Sequence, residues 1–358
     1  MPNLVGRERQ PDIANPGKAI LTSSGACSGA FAHIPVVCSE LKGLRIVLGS
    51  WIGFAARLGD AVPMNPAHPP GWLLALLAAF AVWVEAVPAQ NAEMALVLCA
   101  GGNELSLRDS ATGAKLWRWS GEDAAGLEPA QRRWFDHLDE CKVIDGGKQL
   151  LVCASNGGCA LLEYPSGRVA WLASATNAHS LEMLPRERIV VASSLSGDKL
   201  VLFDLKMPTQ PLWKTPLHSA HGVVWDAKRG VLWALGFDEL RCYVLAEWET
   251  EHPSLALKST HTLPAADGHD LRAVPDSADL IITTESGVFF FECESGKFRP
   301  HPTLGDTPRL KSVDIHPVSK RAVFGAWAGK VEFLDPNGAI TFKDAKPYKI
   351  RWFSGARP

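Results

Sequence analysis

The sequence predicts an all-β protein, a six-bladed β-propeller of four-stranded blades closed by joining an N-terminal strand region to the C-terminal strand. Three observations predict it. Short apolar segments recur at about 40–45 residues, the period of a propeller blade. A basic or metal-binding side chain recurs at one register, at His137, His179, His221, His269, Lys311 and Lys349, with spacings of 42, 42, 48, 42 and 38 residues. The first unit, Met94 to Ser120, has no inner strand of its own, while Tyr348 to Phe353 supplies an inner-strand sequence with no unit after it. Joining the two completes a sixth blade and removes an open sheet edge that would invite aggregation.

In chain order, residues 1–63 are rich in Gly, Ala and Ser and match no blade. They are expected to be a mis-called or disordered N-terminal extension upstream of a true start at Met64, the alternative being a small extra domain or a long cytoplasmic tail. Residues 64–89 read as a signal peptide. Gly71 to Val84 is an apolar run of fourteen residues, short for a membrane span of about 20 but right for a signal core. Glu85-Ala-Val-Pro-Ala89 then offers small residues for cleavage after Ala89. An uncleaved anchor is the alternative, because no Lys or Arg precedes the run after Met64.

The propeller is expected over residues 90–358. Each register residue opens a short strand, and a strongly apolar one follows: Leu-Leu-Val-Cys-Ala from Leu150, Ile-Val-Val-Ala-Ser from Ile189, Val-Leu-Trp-Ala-Leu from Val231, Leu-Ile-Ile-Thr-Thr from Leu280 and Ala-Val-Phe-Gly-Ala from Ala322. Such runs suit strands buried on both faces. Turns with Gly, Asn, Asp or Ser lead to third strands such as Lys199 to Asp204, and a weaker fourth closes each unit. Some 270 residues bury a sizeable core without a second domain.

Several units resemble the repeat of quinoprotein-like propellers. Asp109-Ser-Ala-Thr-Gly-Ala-Lys-Leu-Trp117 is similar to that family's Asp-x-x-Thr-Gly-x-x-x-Trp; Tyr164 to Trp171 and Asp335 to Phe342 match it in part, and Asp204 to Trp213 more loosely. The resemblance implies a tight Gly turn between the outer strands and an aromatic ring packed between blades. It implies the fold and not the chemistry, since true quinoprotein dehydrogenases usually have eight blades, and no pyrroloquinoline quinone is expected.

The net charge of −2 gives no electrostatic case for nucleic acid or an anionic membrane. Cys153 and Cys159 flank the turn Ala-Ser-Asn-Gly-Gly and either pair across it in an oxidising compartment or serve as buried packing residues. Gly-x-Ser-x-Gly, a phosphate-binding Gly loop and His-Glu-x-x-His do not occur.

The register residues should ring the top mouth of the central channel, with the loops between second and third strands adding Asn103, Asn156, Asp238 and Trp327. Three readings stay open. Histidines among His137, His179, His221 and His269 hold a divalent transition metal, zinc, manganese or iron. This resembles the oligogalacturonate lyases, propellers with axial histidine-bound metal but a different blade number. Alternatively the His/Lys ring binds an anion without metal, or polar groups merely line a wet channel.

The expected function is that of an exported, periplasmic or secreted monomer. It would bind an acidic oligosaccharide or polysaccharide through Lys311, Lys349, Trp327, Asn156, Asp238 and Asn103. Cleavage would be by β-elimination, with His179 or His221 as general base and metal or lysine neutralising the uronate. The rival class is a non-catalytic scaffold or protein-interaction propeller. His316 reads as structural, and His218 as a residue of the loop before His221.

Overall fold

The computed structural model describes residues 95–358. The expectations for residues 1–63 and 64–89 lie outside the described residues. Among the described residues no helix is long and apolar enough to cross a membrane.

The chain runs through β1 (Leu96–Gly101), β2 (Glu104–Asp109) and β3 (Lys115–Trp119), then the short helix α1 (Pro129–Arg132). Blade 1 is β4 (Leu138–Ile144), β5 (Gln149–Ala154), β6 (Gly158–Glu163) and β7 (Val169–Ser174). Blade 2 is β8 (Ala178–Leu184), β9 (Arg188–Ser193), β10 (Lys199–Asp204) and β11 (Trp213–Pro216). Blade 3 is β12 (Gly222–Asp226), β13 (Val231–Leu235), β14 (Glu239–Ala246) and β15 (Ser254–Thr262). Blade 4 is β16 (Asp270–Ala273), β17 (Asp279–Thr283), β18 (Val288–Glu292) and β19 (Lys297–Pro300). Blade 5 is β20 (Ser312–Ile315), β21 (Ala322–Gly325), β22 (Lys330–Leu334) and β23 (Gly338–Thr341), and the chain ends on β24 (Lys349–Phe353).

Each blade is one antiparallel sheet of four strands, and the sixth has the order β24-β1-β2-β3. In it Lys349 pairs with Ala100 and Phe353 with Leu96, so the closure expected from sequence is present. The innermost strands contact one another in a complete cycle, β4, β8, β12, β16, β20, β24 and back to β4.

Alternation along the strands builds the core. Val97 and Cys99, with Ile350 and Trp352 of β24, face Val323 of blade 5, while Leu96, Leu98 and Ala100 face blade 1 with Leu138, Leu150 and Val152. Because both faces are covered, the second strands are buried along all or nearly all of their length, as in β9, where all of Arg188–Ser193 is buried. Each fully buried Leu, Val or Ile contributes about 1.5–3 kcal/mol. Outer strands such as β19 and β23 are largely exposed, which is why they carry weak apolar signals.

The Asp109–Trp117 motif acts as its pattern suggests. The Asp109 carboxylate accepts hydrogen bonds from the Ala111 and Thr112 amides, each at 3.0 Å, and Gly113 takes φ +75, a left-handed value that only Gly adopts freely. Trp117 then donates to the Pro165 carbonyl of blade 1 at 2.7 Å and Trp119 to that of Gly167 at 3.0 Å. These indoles pin blade 6 to blade 1. Cys153 and Cys159 are partners across β5 and β6, but both are free and buried thiols. They pack between blades 1 and 2.

Candidate functional site at the mouth of the ring

Strand register fixes which side chains meet at the mouth. The amides of His221, His269 and Lys311 each donate at 2.9 Å to the last carbonyl of the neighbouring second strand, those of Leu235, Thr283 and Gly325. In blade 6 the residue making this bond is Tyr348, to Ala100 at 2.7 Å. In blades 1 and 2 the register slips between Leu138 and Glu140 and between Ala178 and Ser180, so Asp139 and His179 sit in bulges. A residue with positive φ lies two positions earlier in five blades: His137 (61°), Asn177 (49°), Ser219 (48°), Asp267 (63°) and Arg309 (61°). The top layer is therefore Asp139, His179, His221, His269, Lys311 and Tyr348.

Two of the residues expected in the ring fall elsewhere. His137 occupies the left-handed corner before its strand and is exposed, so it leaves the histidine arc and Asp139 takes its place. Lys349 lies one residue below the mouth, fully buried, and donates to the carbonyls of His269 at 2.5 Å and Lys311 at 2.6 Å. His179, His221, His269 and Lys311 stand where the sequence spacing put them.

Two of the imidazoles have a defined tautomer. A carbonyl can only accept, so His179 Nδ1–H donates to Asn177 O at 3.2 Å and His221 Nδ1–H to Ser219 O at 2.8 Å. Each Nε2 is left as a free lone pair, the form that suits a base or a metal ligand. The His179 and His221 rings lie 4.4 Å apart and those of His221 and His269 5.4 Å apart. Burial pushes His179 down to about 4 and His269 down to about 3, with Lys311 and Lys349 adding to the effect. His221 is held well below the usual histidine range by burial and by its two histidine neighbours. The histidine arc is neutral at pH 7.

Burial likewise raises Asp139 to about 7, against the lowering effect of its Ser155 hydrogen bond. Tyr348 lies across this layer, edge-on to His179 at 5.9 Å and to Trp327 at 5.6 Å, with the Lys349 ammonium 5.1 Å from its ring centre.

Beneath the mouth the charges are paired. Arg351 reaches Glu140 and Asp270, both at 2.8 Å, and all three are about 1% exposed. Lys349 meets Asp270 at 3.2 Å, Lys142 meets Glu182 at 3.0 Å, and Arg272 meets Asp314 at 3.1 Å.

Beside Tyr348 the same face opens into a depression of about 490 Å³ lined by Asn103, Glu104, His137, Trp327, Asp344 and Lys346, among others. Gly101 forms part of its wall, where a Cβ would come 2.4 Å from Lys346 O. Trp327 is 56% exposed and has φ 52°. The depression thus brings together three residues singled out in the sequence: Asn103 and Trp327 as ligand contacts and His137 as a metal ligand.

Asn156 and Asp238 are exposed and outside it, and the Asn156 amide donates to Arg133 O at 3.2 Å. His218 meets Asp198 at 3.1 Å on the surface. His316 caps its own turn, accepting from the amides of Val318 at 3.3 Å and Ser319 at 3.1 Å, and packs on Trp352.

Sequence reasoning missed Tyr348 and the ring position of Asp139, and also Glu104, Asp344 and Lys346. The first two had a signal, an apolar residue two positions later, Cys141 and Ile350, matching Leu181, Val223, Leu271 and Val313. The other three lie on or beside loops without a repeat signature.

A search of curated proteins found no match to the chain. The family model described as a family of unknown function (DUF6528) matches residues 84–355, well over half of the 358-residue chain. The chain belongs to the DUF6528 family.

Proposed function

We propose that this propeller binds a carbohydrate in the depression beside Tyr348, with Trp327 stacking on a sugar face. The observation that carries this reading is the exposure of a large aromatic, 56%, in a concave polar setting. An indole face against the C–H face of a sugar removes apolar area from water while the hydroxyls bond to rim groups. Asn103 supplies an amide for such bonds.

An acidic sugar is favoured by the local charge. Glu104 and Asp344 are engaged with Lys115 at 2.7 and 3.0 Å, and Asp344 also with Arg108 at 3.0 Å. Among the described residues, the Lys346 ammonium and the His137 ring meet no side-chain partner, which leaves them for a carboxylate. Lys349, buried and bonded, is not offered to a ligand, so Lys346 takes its expected part. Calorimetric titration with uronic-acid and matched neutral oligosaccharides tests the reading. The expected result is preference for the acidic series and a loss of at least about tenfold in Trp327→Ala. Unchanged affinity in Trp327→Ala would remove the proposal.

Cleavage by β-elimination is a second reading, favoured by the neutral His179 with its free Nε2 behind Tyr348. Growth of near-ultraviolet absorbance from an unsaturated uronate, lost in His179→Gln, is its signature. An exported location belongs to the same proposal, and an N-terminus after Ala89 in protein from the source cells would support it.

A further inference from the structure

Outside the depression, one group of side chains is poorly satisfied as it stands. Asp267, His269 and Glu285 bring one ligand-type atom each within 4.8 Å of one another, and they are the one such group among the described residues. His269 Nε2 stands 3.1 Å from the Asp267 carboxylate and also receives the Lys311 amine. Accepting from Lys311 requires the ring proton on Nδ1, and that nitrogen is buried with no partner. His179 and His221 differ, since each sends its Nδ1 proton to the carbonyl two residues back. At His269 a carboxylate oxygen therefore faces an imidazole lone pair. Lys311 reaches the nitrogen, but makes no ion pair within 4.0 Å with Asp267 or Glu285. Arg309 meets Glu285 at 2.8 Å from the solvent side, 76% exposed.

We propose that Asp267, His269 and Glu285 form a binding site for a divalent transition metal, and that Lys311 sits in it as a tethered cation the metal displaces. One imidazole and two carboxylates form a mixed nitrogen and oxygen set that suits manganese, iron(II), cobalt(II) or zinc and leaves positions for water. A dication at their common centre would turn the 3.1 Å approach of carboxylate to lone pair into two bonds to one ion. The site is built by three loops of one mouth. Asp267 is the left-handed corner of blade 4 with φ 63°, Glu285 follows β17, and Lys311 enters blade 5. Asp267 and Glu285 are part-exposed at 36% and 45%, so an ion reaches them from solvent while His269 stays buried. His269 and Lys311 stand at the repeat register, and Glu285 lies on a loop between second and third strands that the repeat brings to this face.

Cobalt(II) alone is the probe, titrated into the full-length protein without a polyhistidine tag and followed by visible absorption, with zinc competition by calorimetry. The expected result is one equivalent bound, at least about tenfold tighter in Lys311→Met, and at least about tenfold weaker in His269→Gln and in Asp267→Asn. Glu285→Gln, at the exposed rim, provides a variant with little risk to folding and should weaken binding in the same direction. Melting curves verify that each variant is folded. Binding no tighter in folded Lys311→Met than in the wild type, or undiminished in His269→Gln, would overturn the proposal. Saccharide titration at Trp327 reads a separate site, so either proposal can fail without the other.

Discussion

The mouth layer and the charged layers beneath it are one to three residues apart, the first carried by all six inner strands and the second by five of them, and they treat polar groups in opposite ways. Below, Arg351, Lys349, Asp270 and Glu140 are withdrawn from water, and each has a partner of opposite charge. Above, Asp139, His179, His221 and His269 are also largely buried, but their environment favours the uncharged form, and the Nε2 lone pairs of His179 and His221 are unused. Desolvation acts on both. In the lower layers a bidentate guanidinium and direct ion pairs offset its cost. In the mouth Asp139, His179 and His221 have no such partner, so they neutralise instead. A saturated layer is a structural axle. An unsaturated one has bonding capacity for something from outside.

The largest effect is expected where the lower layer is broken. Arg351→Met would strand Glu140 and leave Asp270 with Lys349 alone, and stability should fall by about 3–5 kcal/mol, read from the urea midpoint. A loss under about 1 kcal/mol would mean that water or a neighbour already relieves those carboxylates, and the contrast between layers would collapse.

The mouth should instead reveal itself through pH. His179 has a folded value near 4 against about 6.5 unfolded, so the unfolded chain binds the extra proton between them. Its contribution is present above pH 6.5 and is lost as pH falls toward 4, on the order of 2–3 kcal/mol. In His179→Gln the acid limb of melting temperature against pH should be flatter; an unchanged limb would show that the imidazole is hydrated.

Asp139 runs the other way. Its folded value near 7 exceeds the unfolded one of about 3.9, so a stability cost grows as pH climbs through that window. Asp139→Asn should therefore be more stable than wild type at pH 8, by about 2 kcal/mol, and nearly equal at pH 4. Equal melting points at pH 8 would place Asp139 among the paired groups. The smallest effect is expected at Trp327, where replacement by Ala should change stability by no more than about 0.5 kcal/mol while removing sugar affinity.

The fold was legible because its main determinant is local. Two-faced burial makes each second strand a continuous apolar run, and Gly-containing turns mark where it ends. The site was only partly legible. His179, His221, His269 and Lys311 kept one spacing, but matching by side-chain identity drew His137 into the series when the apolar alternation placed Asp139 there. The same alternation placed Tyr348 ahead of Lys349, through Ile350. A bulge and a left-handed corner change the face a side chain points to without changing residue counts, so spacing alone could not reveal them. The depression was hidden for another reason. It is assembled from the turn after β1, the loop after β21 and the stretch before β24, which are distant in sequence and share no motif.

The closing strand also has a bearing on how the molecule is made. Lys349 pairs with Ala100 across roughly 250 residues, and such contacts form late because chain closure over that length is entropically costly. Until β24 emerges from the ribosome, β1 has an open edge and Glu140 and Asp270 lack Arg351. Blades 1 to 5 can pack as they are synthesised, whereas the axle is completed only when β24 follows them. A nascent or truncated chain lacking residues 349–358 therefore lacks both the latch and the cations. It should be held open, prone to capture by chaperones and proteases, until those few residues arrive.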